Sequence, residues 1–272
     1  MVNWTDHVSD FNYSVGANMT YSRFWDWEQY DTRHSNSWDV YRNSIWHRVG
    51  YVNWGYEAVG RFTSWEQIAT YPIDNDRKGN KTVVPGDIMY KDVNGDGVID
   101  TDDKIAIGYS TTAPEIYYSF HLGAEWKGLG FDVMFQGTAN YSAILNTKAM
   151  FWPPLNTTSL STYYYENRWT PENRYTDVPA LKTVSNSWNA NSTRNLFNNS
   201  FLRMKNITLS YNFPQPMIKK ISLNSLQLFV QADNLLTVSK NQGLDPEQDI
   251  SGLTYCRYPA MRSISGGINV SF

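Results

Sequence analysis

Twelve residues carry the strongest chemical signal in the chain: Asp92-Val93-Asn94-Gly95-Asp96-Gly97-Val98-Ile99-Asp100-Thr101-Asp102-Asp103. They follow the D-x-N-x-D-G-x-I-D-x-x-D form of a calcium loop. Calcium is a hard ion that takes six to eight oxygens, so oxygen-bearing side chains at alternate positions around a turn-forming glycine suit it. In this reading Asp92, Asn94 and Asp96 bind through side chains and Val98 through its carbonyl. Asp100 binds directly or through water, and Asp103 closes the site where a longer Glu is usual. The competing reading is an acidic turn that is merely solvated. The flanks are not amphipathic helices, so any calcium (Ca2+) here is expected to stiffen a loop and not to drive a helix-opening switch.

Aromatic clusters form a second group. Phe24-Trp25-Asp26-Trp27, Phe151-Trp152-Pro153-Pro154 and Tyr163-Tyr164-Tyr165 fall in expected loops. Flat rings stack on sugars or on apolar peptide groups, which makes Trp25, Trp27, Trp152 and Tyr164 candidate substrate residues. Interfacial or loop-packing contacts explain the same residues.

Catalytic patterns are missing. His7, His34, His47 and His121 lack any HExxH or i, i+4 spacing, and no GxSxG, Walker or GxGxxG motif precedes a helix. Pairs such as Glu57 with Glu66, or Glu166 with Glu172, have nothing in the sequence to set them at glycosidase separation. The chain is expected not to be an enzyme.

The elements that must position these residues read as strands. From Phe11 to Tyr21 the odd positions are apolar or aromatic and the even ones polar or glycine. Similar alternation runs over Ile116–Trp126, Leu129–Tyr141, Phe201–Phe213, Leu226–Leu236 and from Arg262 to Phe272. Runs this long suit tilted strands that cross a bilayer better than the five or six residues common in soluble sheets. Less regular runs at Trp38–Ile45 and Tyr51–Phe62 bring the expected total to about seven or eight. Lys127-Gly128 suits a tight hairpin, and Phe213-Pro214-Gln215-Pro216 a second short turn. The stretch from about Ser142 to Ser200 is a long loop, with a short helix expected at Thr158–Asn167.

Composition agrees. Aromatics make up 15% of the 272 residues, yet mean hydropathy is -0.51 and only 18% are charged. Amphipathic rings in that proportion suit the two water interfaces of a membrane barrel. A net charge of -3 argues against a nucleic-acid partner. The lone Cys256 supports neither a disulfide nor a zinc site, and reads as a small structural residue. No apolar run is long enough for a transmembrane helix, and the first residues carry no secretory leader, so either the chain is cytoplasmic or its true beginning is missing.

Several segments resemble the SusC/RagA family of TonB-linked outer-membrane proteins. They are Pro85-Gly86-Asp87-Ile88-Met89-Tyr90-Lys91-Asp92 leading into the acidic loop, Ile107-Gly108, and Arg168-Trp169-Thr170-Pro171-Glu172-Asn173. Phe201–Tyr211 is similar to that family's YLRLKNITLGY strand, and Asp233-Asn234-Leu235-Leu236 with Gly243-Leu244-Asp245-Pro246-Glu247 to the strand and loop that follow. Tyr258-Pro259 and the terminal Phe272 complete the likeness.

The resemblance implies an all-β fold: residues 1–272 as the C-terminal portion of a large antiparallel transmembrane β-barrel with long extracellular loops and no plug domain. It also implies a SusD-like surface lipoprotein as partner, energy from the TonB complex through the missing N-terminal part, and glycan or peptide uptake across the outer membrane of a Gram-negative cell. The alternative is a secreted, calcium-binding β-sandwich that recognises glycans. An incomplete barrel would leave two unpaired strand edges in lipid, so this stretch alone is not expected to be a stable membrane monomer.

Overall fold

The computed structural model describes residues 1–27, 30, 33–44, 48–144, 162–181, 191–240, 245–248 and 260–272. In chain order the first strands are β1 (Val2–Val8), β2 (Phe11–Tyr21), β3 (Trp25–Asp26), β4 (Arg48–Val49), β5 (Trp54–Gly55), β6 (Ala58–Arg61), β7 (Ile88–Tyr90) and β8 (Ile105–Ala106). They are followed by β9 (Ile116–Trp126), β10 (Leu129–Ala139), β11 (Ser142–Ile144), β12 (Leu196–Asn198), β13 (Phe201–Asn212), β14 (Ser225–Ser239) and β15 (Ser263–Ser271). Seven of them form one antiparallel sheet in the order β1-β2-β9-β10-β13-β14-β15, a meander that does not close on itself.

The connections alternate in kind because the meander alternates in direction. On one rim β1 turns into β2 through Ser9-Asp10, β9 into β10 through Lys127-Gly128, and β13 into β14 through residues 213–224. On the opposite rim lie the long connections 22–115, 140–200 and 240–262. Lys127 and Gly128 have φ of 46° and 86°, the two left-handed residues of a hairpin turn whose twist matches the strands. A Cβ on Gly128 would also sit 2.4 Å from the Asn212 carbonyl oxygen, so the turn and the neighbouring strand both require glycine.

Register places the apolar positions on one face. Trp4 is paired with Val15, Val15 with Leu122, Leu122 with Val133, Val133 with Ile207, Ile207 with Ala232 and Ala232 with Ile264. The opposite face carries Ser14, Gly123, Asp132, Thr208 and Gln231 at matching heights. Nothing among the described residues covers the apolar face at mid-strand, where Val230 is 56% and Ile268 64% exposed. Eleven residues at about 3.3 Å each, tilted by about 45°, rise roughly 25 Å, the height of the apolar band of a membrane barrel. Toward the short-turn rim this face becomes aromatic: Phe11 pairs with Trp126, the Phe11 and Tyr13 rings lie 6.1 Å apart, and Tyr211 meets Phe213 edge-on at 5.0 Å.

One irregularity crosses the wall. The register shifts at Met134/Phe135 on β10 and at Met204/Asn206 on β13, leaving Lys205 as an extra residue. On the β14 side the adjustment falls at Asn234, whose φ is 52°.

Four differences from the sequence-based expectations have local causes. The expected strand at Trp38–Ile45 is a helix, Ser37–Asn43: the Asn36 side chain accepts from the Asp39 N–H at 2.8 Å, and Trp38 and Tyr41 stack at 5.1 Å, a helical i, i+3 pair. The expected strand at Tyr51–Phe62 is broken into β5 and β6, which pair with β8 and β7 above the wall and not within it. The wall's seventh strand is β1, where Asp6 on the apolar face hides the alternation. The 213–224 connection is also longer than a tight turn, with a helix at Gln215–Ile218. The helix at Thr162–Asn167 matches the later part of the expected one; residues 158–161, with Trp152, His47 and Cys256, lie outside the described residues.

The hydrophobic core sits in the long connections. Phe62, Ile68 and Val83 form one buried cluster, with Tyr71 and Met89 against it. Ile88, Tyr90 and Ile99 form another with Tyr56, Ala58 and Ile73. Hydrogen bonds from Tyr56 N–H to Asn191 O and from Thr193 N–H to Tyr56 O tie the 22–115 connection to the 140–200 connection. At the base, the buried Glu115 takes Arg23 Nε at 2.7 Å on one oxygen and Asn140 Nδ2 at 3.1 Å on the other, which fastens both connections to the wall.

Beside this core the chain turns on Asp76. One of its oxygens accepts from the Lys78 and Asn80 N–H groups at 2.8 and 2.9 Å, and the other from the Thr82 N–H and hydroxyl, both at 2.6 Å. Burial pushes this carboxyl's pKa up, but the Thr82 and Lys78 hydrogen bonds outweigh it and lower it to about 2. An unfolded Asp titrates near 4. The ionised form therefore contributes stability that is complete above pH about 4 and is lost as pH falls toward 2. Asp76→Asn is expected to weaken protection of the Lys78, Asn80 and Thr82 amides by about 1–3 kcal/mol at neutral pH in hydrogen exchange, and to remove the dependence between pH 4 and 2. Equal protection in both proteins would show that the carboxylate does not hold the turn.

Candidate functional site

The acidic loop is built from side chains that bond their own backbone. Asp92 accepts from the Gly95 and Gly97 N–H groups at 2.7 and 2.8 Å, Asn94 from Asp96 at 3.1 Å, Asp96 from Val98 at 2.8 Å, and Asp100 from Asp102 at 2.7 Å. Asp103 is wholly buried and accepts from Val93 on one oxygen and Asp100 on the other, at 2.7 and 2.8 Å. Gly95 and Gly97 take left-handed φ of 79° and 84°, as the winding requires. The loop is docked to its neighbour: Asp74 N–H donates to Gly97 O at 2.8 Å and Ile99 N–H to Asp74 O at 2.9 Å. Asp102, outside the expected ligand set, pairs with Arg42.

All six expected ligands, Asp92, Asn94, Asp96, Val98, Asp100 and Asp103, thus share one loop, and every donor is an oxygen. Among the described residues, however, no group of three or more His, Cys, Asp or Glu side chains converges as a metal site. The carboxylates face amides: Asp100 also accepts from the Asp103 N–H, and Asp96 from Asn94 Nδ2 at 2.9 Å.

The aromatic candidates do not form one site. Trp25, in β3, and Trp27, just after it, are 50% and 72% exposed on the long-connection rim; Phe24 beside them packs on Tyr51 at 5.4 Å. Tyr164 lies in the helix Thr162–Asn167, but its side chain is outside what is described; its neighbour Tyr165 stacks under the Arg168 guanidinium at 4.1 Å.

A group that sequence reasoning passed over stands at the same rim. Arg203, on the polar face of β13 and 3% exposed, binds Asp245 through Nη2 and Glu247 through Nη1, both at 2.5 Å, and donates from Nε to the Thr237 hydroxyl at 3.0 Å. Lys205 reaches Glu247 at 2.6 Å, and the buried Asn199 donates to Pro246 O at 3.1 Å. For Asp245, burial raises the pKa, but N–H groups of Ala260 and Glu247 and the Arg203 guanidinium outweigh it, so the carboxyl stays below its ordinary range. The 245–248 turn is therefore clamped over the wall. Within the strand its one trace is the pair of cations, Arg203 and Lys205, which interrupt the alternation without pointing to a partner. Lower on the polar face His121 and Asp132 meet at 2.5 Å beside a 310 Å³ hollow lined by Asn12, Ser14, Thr208 and Ser210.

Known proteins resemble this chain in sequence and in fold. No family model matches the chain. It is 29% identical over 231 residues to TonB-dependent receptor P3 of Formosa agariphila, covering 79% of this chain and 22% of that protein. To the TonB-dependent receptor SusC of Bacteroides thetaiotaomicron it is 27% identical over 231 residues, covering 83% of this chain and 20% of SusC. The solved RagAB peptide importer in its open-open state superposes with a TM-score of 0.67 at 26% identity, over 99% of this chain and 28% of that one. The chain thus spans about a fifth of the length of the curated relatives it matches. In sequence and in fold it is SusC/RagA-like, and its open seven-stranded antiparallel sheet matches a portion of the RagA barrel.

Proposed function

We propose that this chain forms part of the wall and outer rim of an outer-membrane transporter for nutrient uptake, and that it performs no covalent chemistry. The observation that carries the reading is the uncovered apolar face that runs across all seven strands, opposite a polar face. In water such a face would be buried against a second layer. In a bilayer it meets lipid, while the polar face lines an interior. A calcium-binding β-sandwich would cover that face with another sheet, and the described residues contain none positioned to do so.

On this reading the long connections stand outside the cell and the short turns face the periplasm. Their rim is the docking face for a SusD-like surface lipoprotein, in keeping with the two-component RagAB neighbour, and TonB supplies the energy through the rest of the protein. The cargo is a glycan or a peptide: the SusC/RagA resemblance implies either, and the solved neighbour is named a peptide importer. For the acidic loop we propose a structural calcium ion. Its support is the ligand spacing and the all-oxygen donor set. The side chains of Asp92, Asn94, Asp96, Asp100 and Asp103 and the Val98 carbonyl would hold it, at the expense of some of their bonds to loop amides.

Two measurements test these readings. In the full-length protein, Val230→Arg at mid-height of the apolar face is expected to destabilise the barrel by about 2–4 kcal/mol if that face meets lipid. Ser265→Arg, at the same height on the other face, is expected to stay within about 0.5 kcal/mol. Heat-modifiability and denaturant unfolding in detergent read both, and equal tolerance of the two arginines would refute the membrane placement. Calorimetric titration with calcium should show one site that Asp92→Asn weakens at least tenfold. The absence of binding heat in the unmodified protein would assign the loop to self-capping alone.

A further inference from the structure

We infer that a hollow on the apolar face, at the short-turn rim, seats one phospholipid whose headgroup carries both a phosphate and a primary ammonium. This seat presupposes the membrane placement proposed above. The hollow has a volume of 270 Å³ and is lined by Phe11, Ala124, Glu125, Trp126, Leu129 and Phe131. Its shape follows from the register. Ala124 is paired with Tyr13 on one side and Phe131 on the other, and one row nearer the rim Trp126 is paired with Phe11 and Leu129. A methyl group thus stands among large side chains, and the wall is dented there.

Two features define the ligand. The first is the dent. Lipid tails are as apolar as the wall, so a flat apolar face has little reason to keep one lipid over another, and retention depends on packing. A hollow walled by aromatic rings gives an acyl chain contacts on several sides that a flat face cannot. The second is charge at the rim end of the hollow. Lys127 Nζ stands 5.5 Å from the centre of the Trp126 ring and 3.7 Å from Asp10 Oδ2 in the adjoining turn. The Lys127 and Asp10 side chains are 63% and 65% exposed, so their pairing contributes little and both are open to a headgroup. A phosphate matches Lys127, and an ammonium with N–H donors matches Asp10, with Glu125 adding negative charge at the edge. A headgroup with a phosphate alone would draw Lys127 away and leave the acids facing another anion. A quaternary ammonium would offer the carboxylates no N–H.

The experiment uses the full-length protein, extracted in detergent and incubated with phosphatidylethanolamine, phosphatidylglycerol or phosphatidylcholine of identical acyl chains, with native mass spectrometry to count the lipid retained. One phosphatidylethanolamine per protein is expected to stay bound in preference to the other two. Lys127→Asn removes the charge and keeps a residue suited to the left-handed position before Gly128. It is expected to weaken retention by about tenfold, the value of one hydrogen bond to a charged group. Ala124→Leu fills the hollow and is expected to reduce retention to the level of phosphatidylcholine. Heat-modifiability should be the same in all three proteins, since both substitutions lie on exposed surface. Phosphatidylglycerol or phosphatidylcholine held as well as phosphatidylethanolamine, retention unchanged in either variant, or displacement of the lipid by chain-free glycerophosphoethanolamine would each overturn the seat. The Val230 and Ser265 arginine pair reads the membrane placement separately: equal tolerance there sinks both readings, whereas unselective lipid retention beside unequal tolerance sinks the seat alone.

Discussion

Everything in this molecule hangs on a backbone ladder that assigns each wall residue to one of two faces. Side chains along a strand alternate with a period of two, and antiparallel pairing carries the same parity from strand to strand. Across seven strands a single slip would put a row such as Val15, Leu122, Val133 and Ile207 on the polar side. Hairpin turns with fixed backbone geometry hold that register on one rim. Apart from the 213–224 connection those turns are short, so the opposite rim receives most of the chain that does not fit within a strand.

This division explains where the buried residues are. A sheet whose apolar face is bare has few hydrophobic residues to bury, and Val133, Phe201 and Ala232 are the buried apolar positions of the wall strands. The connections, free of the wall, fold around clusters of their own, led by Phe62, Ile68, Ile88, Tyr90 and Ile99. Polar anchors such as Glu115 and Arg203 join the two regions. Each is buried, and each satisfies several donors or acceptors at once, so breaking one would strand the others without partners.

The wall was legible in the sequence because period two is a strong pattern over eleven residues. Six of its strands could be read directly, and the Lys127-Gly128 turn with them. β1 escaped because Asp6 interrupts its apolar row, and Trp38–Ile45 misled because four aromatic or aliphatic residues in eight fit a helix as well as a strand once Asn36 caps it. The acidic loop could be located to the residue, since its glycines and acids follow a fixed spacing. How its carboxylates are shared among neighbouring amides could not be read, because that depends on rotamers. The clamp was hidden for another reason: Arg203 and Asp245 are 42 residues apart, and no local pattern links a strand to a distant turn.

The extra residue in β13 links these themes. Arg203, Ile207, Leu209 and Tyr211 are all odd-numbered, and an uninterrupted strand would present them together. Lys205 breaks the count, so that Met204 and Leu202 continue the greasy row while Arg203 turns to the polar face. One inserted position thus works as a frameshift in space: the apolar code is read in one phase below it and in the other phase above it. A guanidinium that would otherwise sit on the apolar face becomes the post to which the 245–248 turn is moored.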